Sequence, residues 1–150
     1  MILAVHRFAH WLWRHHVPLL PYLLKAFNRV VFGVVLPPAV LVGRGVLFSY
    51  QGLGTVVHRE VVIEEGAIIS TGVTLGGRGG RQGAPHIGRC ALVGTGAKVL
   101  GPVRIGAFAS IGANAVVTSD VPDYGVAVGV PARVVRINRP DQVPDYQRFD

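Results

Sequence analysis

An aliphatic residue returns at every sixth position from Val57 to Val117, and this period restricts the fold more than any other feature of the chain. The members of the series are Val57, Ile63, Ile69, Leu75, Ile87, Val93, Val99, Ile105, Ile111 and Val117. Its one interruption, Arg81, lies in a glycine-rich stretch. An α-helix does not produce this pattern, because six residues are not a whole number of 3.6-residue turns.

Two further regularities accompany the aliphatic series. A glycine often follows the aliphatic residue directly, as at Gly76, Gly88, Gly94, Gly106 and Gly112, and a small or β-branched residue follows three positions later. Six residues form one flat side of a coil, with a short strand and a tight turn, and three sides close a triangular coil. Each repeat then buries its apolar face only against its neighbours. The period therefore predicts an all-β core built as a parallel β-helix.

The N-terminal region has a different pattern, which predicts a short helical hairpin. Residues 2–16 and 20–33 both place apolar residues at helical spacing, and Pro18 separates the two segments. The predicted domains are the helical hairpin at 1–36, the β-helix at 37–136 and an extended tail at 137–150. The hairpin is more apolar than a lone surface hairpin, so it either packs within an oligomer or contacts a membrane surface.

Charge and cysteine content limit the compartment and the partners. The formal charge is +7, and a basic surface attracts nucleic acid, an anionic membrane or a phosphorylated cofactor. Because the chain has no helix-turn-helix, zinc-finger or RNA-binding signature, nucleic acid is not a predicted partner. Charged residues interrupt the N-terminal apolar stretch, and the single cysteine, Cys90, suits a reducing cytosol. A cytoplasmic protein is predicted, with residues 1–35 as the candidate membrane contact.

Two segments depart from the six-residue period. The phase shifts between Phe48 and Gly54, and the stretch from Gly76 to Pro85 is too rich in glycine to continue a regular strand. A protruding loop is expected in the second segment. In a repeat scaffold, such departures are the places where a functional site is expected.

Several motifs occur in the order found in a known superfamily. They are Val42-Gly-Arg-Gly45, Gly72-Val-Thr-Leu-Gly-Gly77, Val93-Gly-Thr-Gly-Ala-Lys-Val-Leu-Gly101, Ile111-Gly-Ala-Asn-Ala-Val-Val117 and Gly129-Val-Pro-Ala-Arg133. On these motifs the chain resembles the hexapeptide-repeat acyltransferases, and within them the serine acetyltransferase branch. The resemblance implies a left-handed parallel β-helix, an acetyl-CoA-dependent O-acetyltransferase, and a homotrimer whose sites lie between subunits.

The chain departs from that branch at two motifs. The family has an Asp-His pair where this chain has Ser49-Tyr50-Gln51, and Arg-His-Pro where it has Gly83-Ala84-Pro85. A sugar or polysaccharide precursor is therefore the expected acceptor, with free serine as the alternative. A trimeric scaffold or binding protein without catalytic activity is a further alternative. A zinc-dependent carbonic anhydrase is disfavoured, because the repeat region holds only two histidines, and no metal is expected.

The candidate catalytic residues are His58 and His86, which lie beside the two irregular segments. Removing a proton from an acceptor hydroxyl at neutral pH suits a histidine. A carboxylate at Glu60, Glu64 or Glu65 is available to orient either ring. Tyr50 and Gln51 are candidate acceptor contacts.

The resemblance also implies a groove for the co-substrate acetyl-CoA along the edge of the coils. The candidate cofactor-binding residues are Gly76, Gly77, Thr95, Gly96, Ser110 and Ala113, with Arg133 as a phosphate partner. Glycine and other small residues would let an extended pantetheine arm approach the backbone.

Overall fold

The structure is a computed structural model that describes residues 1–149. It begins with two helices, α1 (Ile2–Arg14) and α2 (Leu20–Phe32), as the sequence predicts. Helix α2 ends at Gly33, which has a φ of 66°, and its N–H donates to the carbonyl oxygen of Arg29. Glycine occupies this left-handed position at little cost, so it closes the helix.

Within the described residues, fourteen short strands follow the hairpin. They are β1 (Leu41–Val42), β2 (Leu47–Phe48), β3 (Val56–Val57), β4 (Val62–Ile63), β5 (Ile68–Ile69), β6 (Thr74–Gly76), β7 (His86–Ile87), β8 (Leu92–Val93), β9 (Lys98–Leu100), β10 (Arg104–Ile105), β11 (Ser110–Ile111), β12 (Val116–Val117), β13 (Gly125–Gly129) and β14 (Ala132–Ile137).

The strands form three sheets, one for each side of a coil. Sheet 1 has the order β1-β4-β7-β10, sheet 2 the order β2-β5-β8-β11-β13-β14, and sheet 3 the order β3-β6-β9-β12. All pairs within these sheets are parallel except β13 with β14. The chain is a parallel β-solenoid of about four turns, which confirms the fold predicted from the six-residue period.

The aliphatic series forms the core of this solenoid. All ten of its members are at most 2% exposed. The strand register stacks them, since Val93 pairs with Ile69 on one side and with Ile111 on the other. Successive coils therefore bury one another's apolar residues.

At two positions after an aliphatic residue, glycine is required by the close spacing of the coils. A Cβ added to Gly88 would lie 2.6 Å from the carbonyl oxygen of Ile105, and one added to Gly94 would lie 2.6 Å from that of Ile111. No side chain fits at these two positions without movement of the neighbouring coil.

The two departures from the period are irregular in the structure. A 3-10 turn at Ser49–Gly52 separates β2 from β3, and both Tyr50 and Gln51 have positive φ angles, 49° and 57°. Between β6 and β7, the glycine-rich segment forms the expected loop, with residues 77–82 exposed.

The C-terminal segment folds back on the solenoid. It contains 3-10 turns at Pro140–Gln142 and Asp145–Gln147, in a region expected from the sequence to be extended. The Gln147 side chain is buried, and its Nε2 donates to the carbonyl oxygens of Cys90 and Ala109. This contact attaches the tail to the corner between sheets 1 and 2.

The hairpin packs on the first coil through a narrow face. The buried residues of α1 are Ile2, His6, Ala9 and Leu12, and those of α2 are Pro21 and Asn28. Neither helix, nor any other in residues 1–149, has the length and apolar character that a bilayer crossing demands.

Candidate functional site

His58 lies directly after β3, where the chain leaves sheet 3. Strand alternation directs Val57 into the core and His58 outward, and the ring is half-buried. The backbone N–H of His58 donates to the carbonyl oxygen of Leu75, 2.8 Å away. This bond holds His58 beside the end of β6, where the glycine-rich loop begins.

A cleft of about 570 Å³ lies between the hairpin and sheet 3, and His58 is on its wall. We call it the hairpin cleft. Its lining residues are Trp13, Tyr22, Lys25, Val35, Pro37, Pro38, Ala39, Val56, Val57, His58, Arg59, Thr74, Leu75 and Gly76. Most of these are apolar, and the charged ones, Lys25 and Arg59, are both cationic.

A second cleft, of about 830 Å³, lies on the other side of His58. We call it the loop cleft, because the glycine-rich loop forms most of it. Its lining residues are His58, Glu60, Gly77, Arg78, Arg81, Gln82 and Gly83. His58 therefore lies between an apolar cleft and one that contains two arginines.

The glycines predicted to bind the cofactor differ in the space that their neighbours leave for a side chain. Gly96 has a φ of 73°, and a Cβ there would collide with the side chain of Asn114, so the fold itself favours glycine. Gly76 has no positive φ, and an added Cβ would be 3.5 Å from Leu100, an ordinary contact. At Gly77 the nearest atom would be 3.9 Å away. Packing within the chain therefore does not explain glycine at positions 76 and 77.

His86 lies at the start of β7 on the outer face of sheet 1, and it belongs to an ion-pair network. Its Nε2 is 2.6 Å from Glu64 Oε1, and the other oxygen of that carboxylate accepts the Arg89 N–H at 2.8 Å. Burial opposes ionisation of Glu64, but the hydrogen bonds from His86 and Arg89 outweigh it and lower the pKa of Glu64. Of the three candidate carboxylates, Glu64 is the one that orients His86.

His58 and His86 differ in which ring nitrogen is available to accept a proton. The Glu60 N–H donates to His58 Nδ1 over 3.3 Å, a long hydrogen bond. While this bond is present, neutral His58 carries its hydrogen on Nε2. His86 donates through Nε2 to Glu64, which leaves its Nδ1 free to accept a proton. A carboxylate orients the His86 ring, as is typical of a general base. Within residues 1–149, His58 has no such carboxylate, but it lies between the two clefts.

The 3-10 turn carries the two predicted acceptor contacts, and neither lines the two clefts. Gln51 Oε1 accepts the N–H groups of Met1 and Ile2, at 3.0 and 3.1 Å. It thus attaches the start of α1 to the first coil. Tyr50 is 86% exposed.

The other predicted cofactor-binding residues lie away from His58. Thr95, Gly96 and Ala113 share the corner between sheets 2 and 3, where the Asn114 N–H donates to Thr95 O. Ser110 faces outward on sheet 2 and donates to Gln147 of the tail. Arg133 is on β14, opposite Val128. The structure therefore brings together His58, Gly76 and Gly77, and not the whole predicted set.

The cleft residues that sequence reasoning missed come from two regions. Arg78 and Arg81 stand in the glycine-rich loop, so their charge was a visible signal. Trp13, Tyr22 and Lys25 come from the hairpin, and their position depends on how the hairpin packs against the solenoid. The six-residue period carries no information about that packing.

Within residues 1–149, no group of three or more His, Cys, Asp and Glu side chains is arranged to hold a metal ion. The histidines of α1 contact backbone carbonyl oxygens instead. His6 Nε2 is 3.2 Å from Val40 O, and His10 Nδ1 is 2.7 Å from Pro38 O. Both therefore join α1 to the first coil.

Comparison with known proteins identifies relatives along most of the chain. Residues 84–119 match the family described as bacterial transferase hexapeptide (six repeats). The serine acetyltransferase of Synechococcus elongatus is 39% identical over 97% of this chain and 63% of its own length. The serine acetyltransferase of Bacillus pumilus is 38% identical over 93% of this chain and 70% of its own length.

Solved structures agree with these relatives. The serine acetyltransferase of Brucella abortus in complex with coenzyme A superposes with a TM-score of 0.87 and 34% identity, over 91% of this chain and 55% of that one. The chain thus spans about half to two thirds of the proteins that it matches. The solenoid, its repeats and these identities together show that the chain belongs to the hexapeptide-repeat acyltransferases, in the serine acetyltransferase branch.

Proposed function

We propose that this chain transfers the acetyl group of acetyl-CoA to a hydroxyl group, and that serine is the acceptor. The observation that carries the proposal is the similarity, along almost the whole chain, to proteins named serine acetyltransferase. Those names favour serine over the sugar or polysaccharide precursor expected from the sequence. The position of His58 between two clefts supports the same chemistry.

His58 is the proposed general base. As the new C–O bond forms, it would take the proton from the acceptor hydroxyl, and it would return that proton to the sulfur when the C–S bond breaks. To accept a proton at Nε2, the ring must give up its contact with the Glu60 N–H. At 3.3 Å this hydrogen bond is near the long limit, so its loss costs little.

The residues around His58 fit a long, phosphorylated co-substrate. Gly76 and Gly77 leave the backbone open at the end of β6, where an amide-rich arm would lie against it. Arg78 and Arg81 follow in the loop cleft and would pair with phosphate groups. Acetyl-CoA, when bound, supplies the thioester whose acetyl group is transferred.

A second candidate acceptor is a sugar or another hydroxyl compound larger than serine. The hairpin cleft favours it, because a volume of about 570 Å³ is in the range of sites for drug-sized ligands. Trp13 and Tyr22 on its wall offer aromatic surfaces to a ring. The absence of the family's Asp-His and Arg-His-Pro motifs supports the same alternative.

The acceptor is tested by offering the purified protein acetyl-CoA with serine or with hydroxylated oligosaccharides and following the release of free thiol. Serine-dependent release is the expected result. Release that requires an oligosaccharide and ignores serine would replace serine by the second candidate. If neither acceptor supports release while coenzyme A still binds by calorimetry, the chain is a binding protein rather than an enzyme.

We also propose the homotrimer that the resemblance implies. Both clefts are open at the surface of the single chain, so a neighbouring solenoid would have room to complete them. This arrangement gives each chain a share in two sites.

A further inference from the structure

The hairpin directs large apolar side chains away from the solenoid. On α1, Phe8 and Trp11 are 51% and 53% exposed, and on α2, Leu23, Phe27 and Val30 are 64%, 47% and 84% exposed. Their spacing of three or four residues places them along one side of each helix. We call these five residues the hairpin outer face. Apolar side chains grouped in this way indicate a surface that contacts something.

The charge around this face has one sign. Residues 1–59 contain no aspartate or glutamate, and the first acidic residue of the chain is Glu60. Arg14 and Arg29 are exposed on the two helices, whereas Arg7 donates to the carbonyl oxygen of Gly43 on the solenoid. A partner of this face therefore meets cations beside aromatic and aliphatic side chains.

The same charge disfavours pairing of the face with itself. In a symmetric contact between two hairpins, each patch meets its own copy, so Arg14 and Arg29 would face like charges. An anionic phospholipid surface instead offers both a negative charge and an apolar layer.

We propose that the hairpin outer face docks on an anionic phospholipid surface and lies within its interface. The helices have 13 residues each, about 20 Å of helix, whereas the hydrocarbon layer is roughly 30 Å thick. They are thus suited to lie along the interface. Aromatic residues such as Trp11 prefer this depth, and arginines reach from it to the phosphates. This proposal does not depend on the acetyl transfer.

Vesicle binding tests the proposal, and tryptophan fluorescence of the protein itself reports it. Its two tryptophans, Trp11 and Trp13, are both in α1. With vesicles of phosphatidylcholine and phosphatidylglycerol at low salt, we expect co-sedimentation and a blue shift of tryptophan emission. Vesicles of phosphatidylcholine alone should bind at least tenfold more weakly, and high salt should weaken binding to the anionic vesicles. No binding to the anionic vesicles at low salt would overturn the proposal.

Matched variants separate this face from the rest of the surface. The double substitution Leu23→Ser and Val30→Ser should weaken binding by on the order of tenfold or more. The control is Val135→Ser and Ile137→Ser on β14, where both side chains are 60% exposed, and it should bind as the wild type does. Arg14→Gln with Arg29→Gln should weaken binding to a similar degree.

Self-association is the competing explanation, and it has a distinct result. If Leu23→Ser with Val30→Ser lowers the molecular mass in solution and leaves vesicle binding unchanged, the face packs against another copy and the proposal is wrong. Equal loss of binding in the β14 control would also contradict it. Circular dichroism of each variant shows whether the fold is retained.

Discussion

At the scale of single residues, the contacts of each histidine ring separate His58 from His86. His58 is bound by one long hydrogen bond from a backbone N–H, and its ring lies between two clefts. His86 is held at 2.6 Å by Glu64, which is bound in turn by the backbone of Arg89. We therefore assign the proton transfer to the less constrained ring and a structural role to the hydrogen bond between His86 and Glu64.

This assignment predicts different effects of substituting the two histidines. With His58→Asn, kcat should fall by roughly 10²–10⁴-fold, because the general base is lost, while the affinity for coenzyme A changes little. His86→Asn is the matched control and should keep kcat within a few-fold. Steady-state kinetics, followed by thiol release, measure kcat for both variants. A large loss of kcat in the His86 variant alone would show that His86 is the general base.

Two glycines provide a second test at this scale. Gly96→Ala should lower the free energy of unfolding by at least about 1 kcal/mol, because of its positive φ and the collision with Asn114. Gly76→Ala should leave stability nearly unchanged and raise the KM for acetyl-CoA, since its Cβ would enter the proposed ligand path. Urea unfolding and kinetics on both variants give the comparison. An unchanged free energy of unfolding in Gly96→Ala, or an unchanged KM for acetyl-CoA in Gly76→Ala, would contradict these predictions.

The sequence could predict the inward aliphatic residues, because their burial follows directly from the period. It could not show that Gly96 lacks space for a side chain while Gly76 has it, since only the neighbouring coil determines that space. Gln51 was an expected acceptor contact, and its bond to the start of α1 depends on a chain separation of 49 residues. Such long-range contacts have no local sequence signal.

At the scale of elements, a buried histidine joins α1 to the first coil. His6 is 2% exposed and lies against the carbonyl oxygen of Val40. Burial lowers the pKa of His6 from 6.5 to about 4. The ring is thus neutral in the folded protein over a pH range in which it is protonated in the unfolded chain.

This difference predicts acid destabilisation of the hairpin. Between pH 6.5 and pH 4 the unfolded state binds more protons than the folded state, so stability falls as the pH falls through that window. The contribution of His6 is fully present above pH 6.5, and up to about 3 kcal/mol is lost by pH 4.

Urea unfolding at several pH values measures the effect. His6→Gln should flatten the pH dependence in this window, whereas His15→Gln, at an exposed position just after α1, should keep it. An unchanged pH dependence in His6→Gln would show that other groups are responsible.

The two helices show what helical spacing alone can predict. Their existence follows from the apolar pattern and from Pro18, yet the face that packs does not. Phe8 and Leu12 are four residues apart, a helical spacing, yet in the structure Leu12 is buried and Phe8 is exposed. When both sides of a helix carry apolar residues, periodicity does not identify the buried one.

At the scale of the whole molecule, the solenoid supplies a rigid support and its irregular segments supply the clefts. The β6–β7 loop forms most of one cleft, and the hairpin and sheet 3 form the other. Function where the repeat is interrupted remains a prediction, and the loop cleft is the feature that fits it. The hairpin cleft lay outside that expectation, because the site also depends on a helical element that has no repeat.

The proposed trimer makes a prediction at this scale. Light scattering in the absence of vesicles should give three times the 16.0 kDa mass of the chain, with no dependence on acetyl-CoA. A monomer at micromolar concentration would contradict the trimer and would leave both clefts without a contribution from a neighbouring chain.

The most direct test of the account is a crystal structure with coenzyme A bound, because it shows which part of the solenoid the thiol approaches. We predict that the sulfur lies beside Gly76 and Gly77, within roughly 4 Å of the His58 ring, with the phosphates towards Arg78 and Arg81. A sulfur placed against His86 on sheet 1, or at the corner of Thr95 and Ala113 with His58 out of reach, would contradict the assignment of this site.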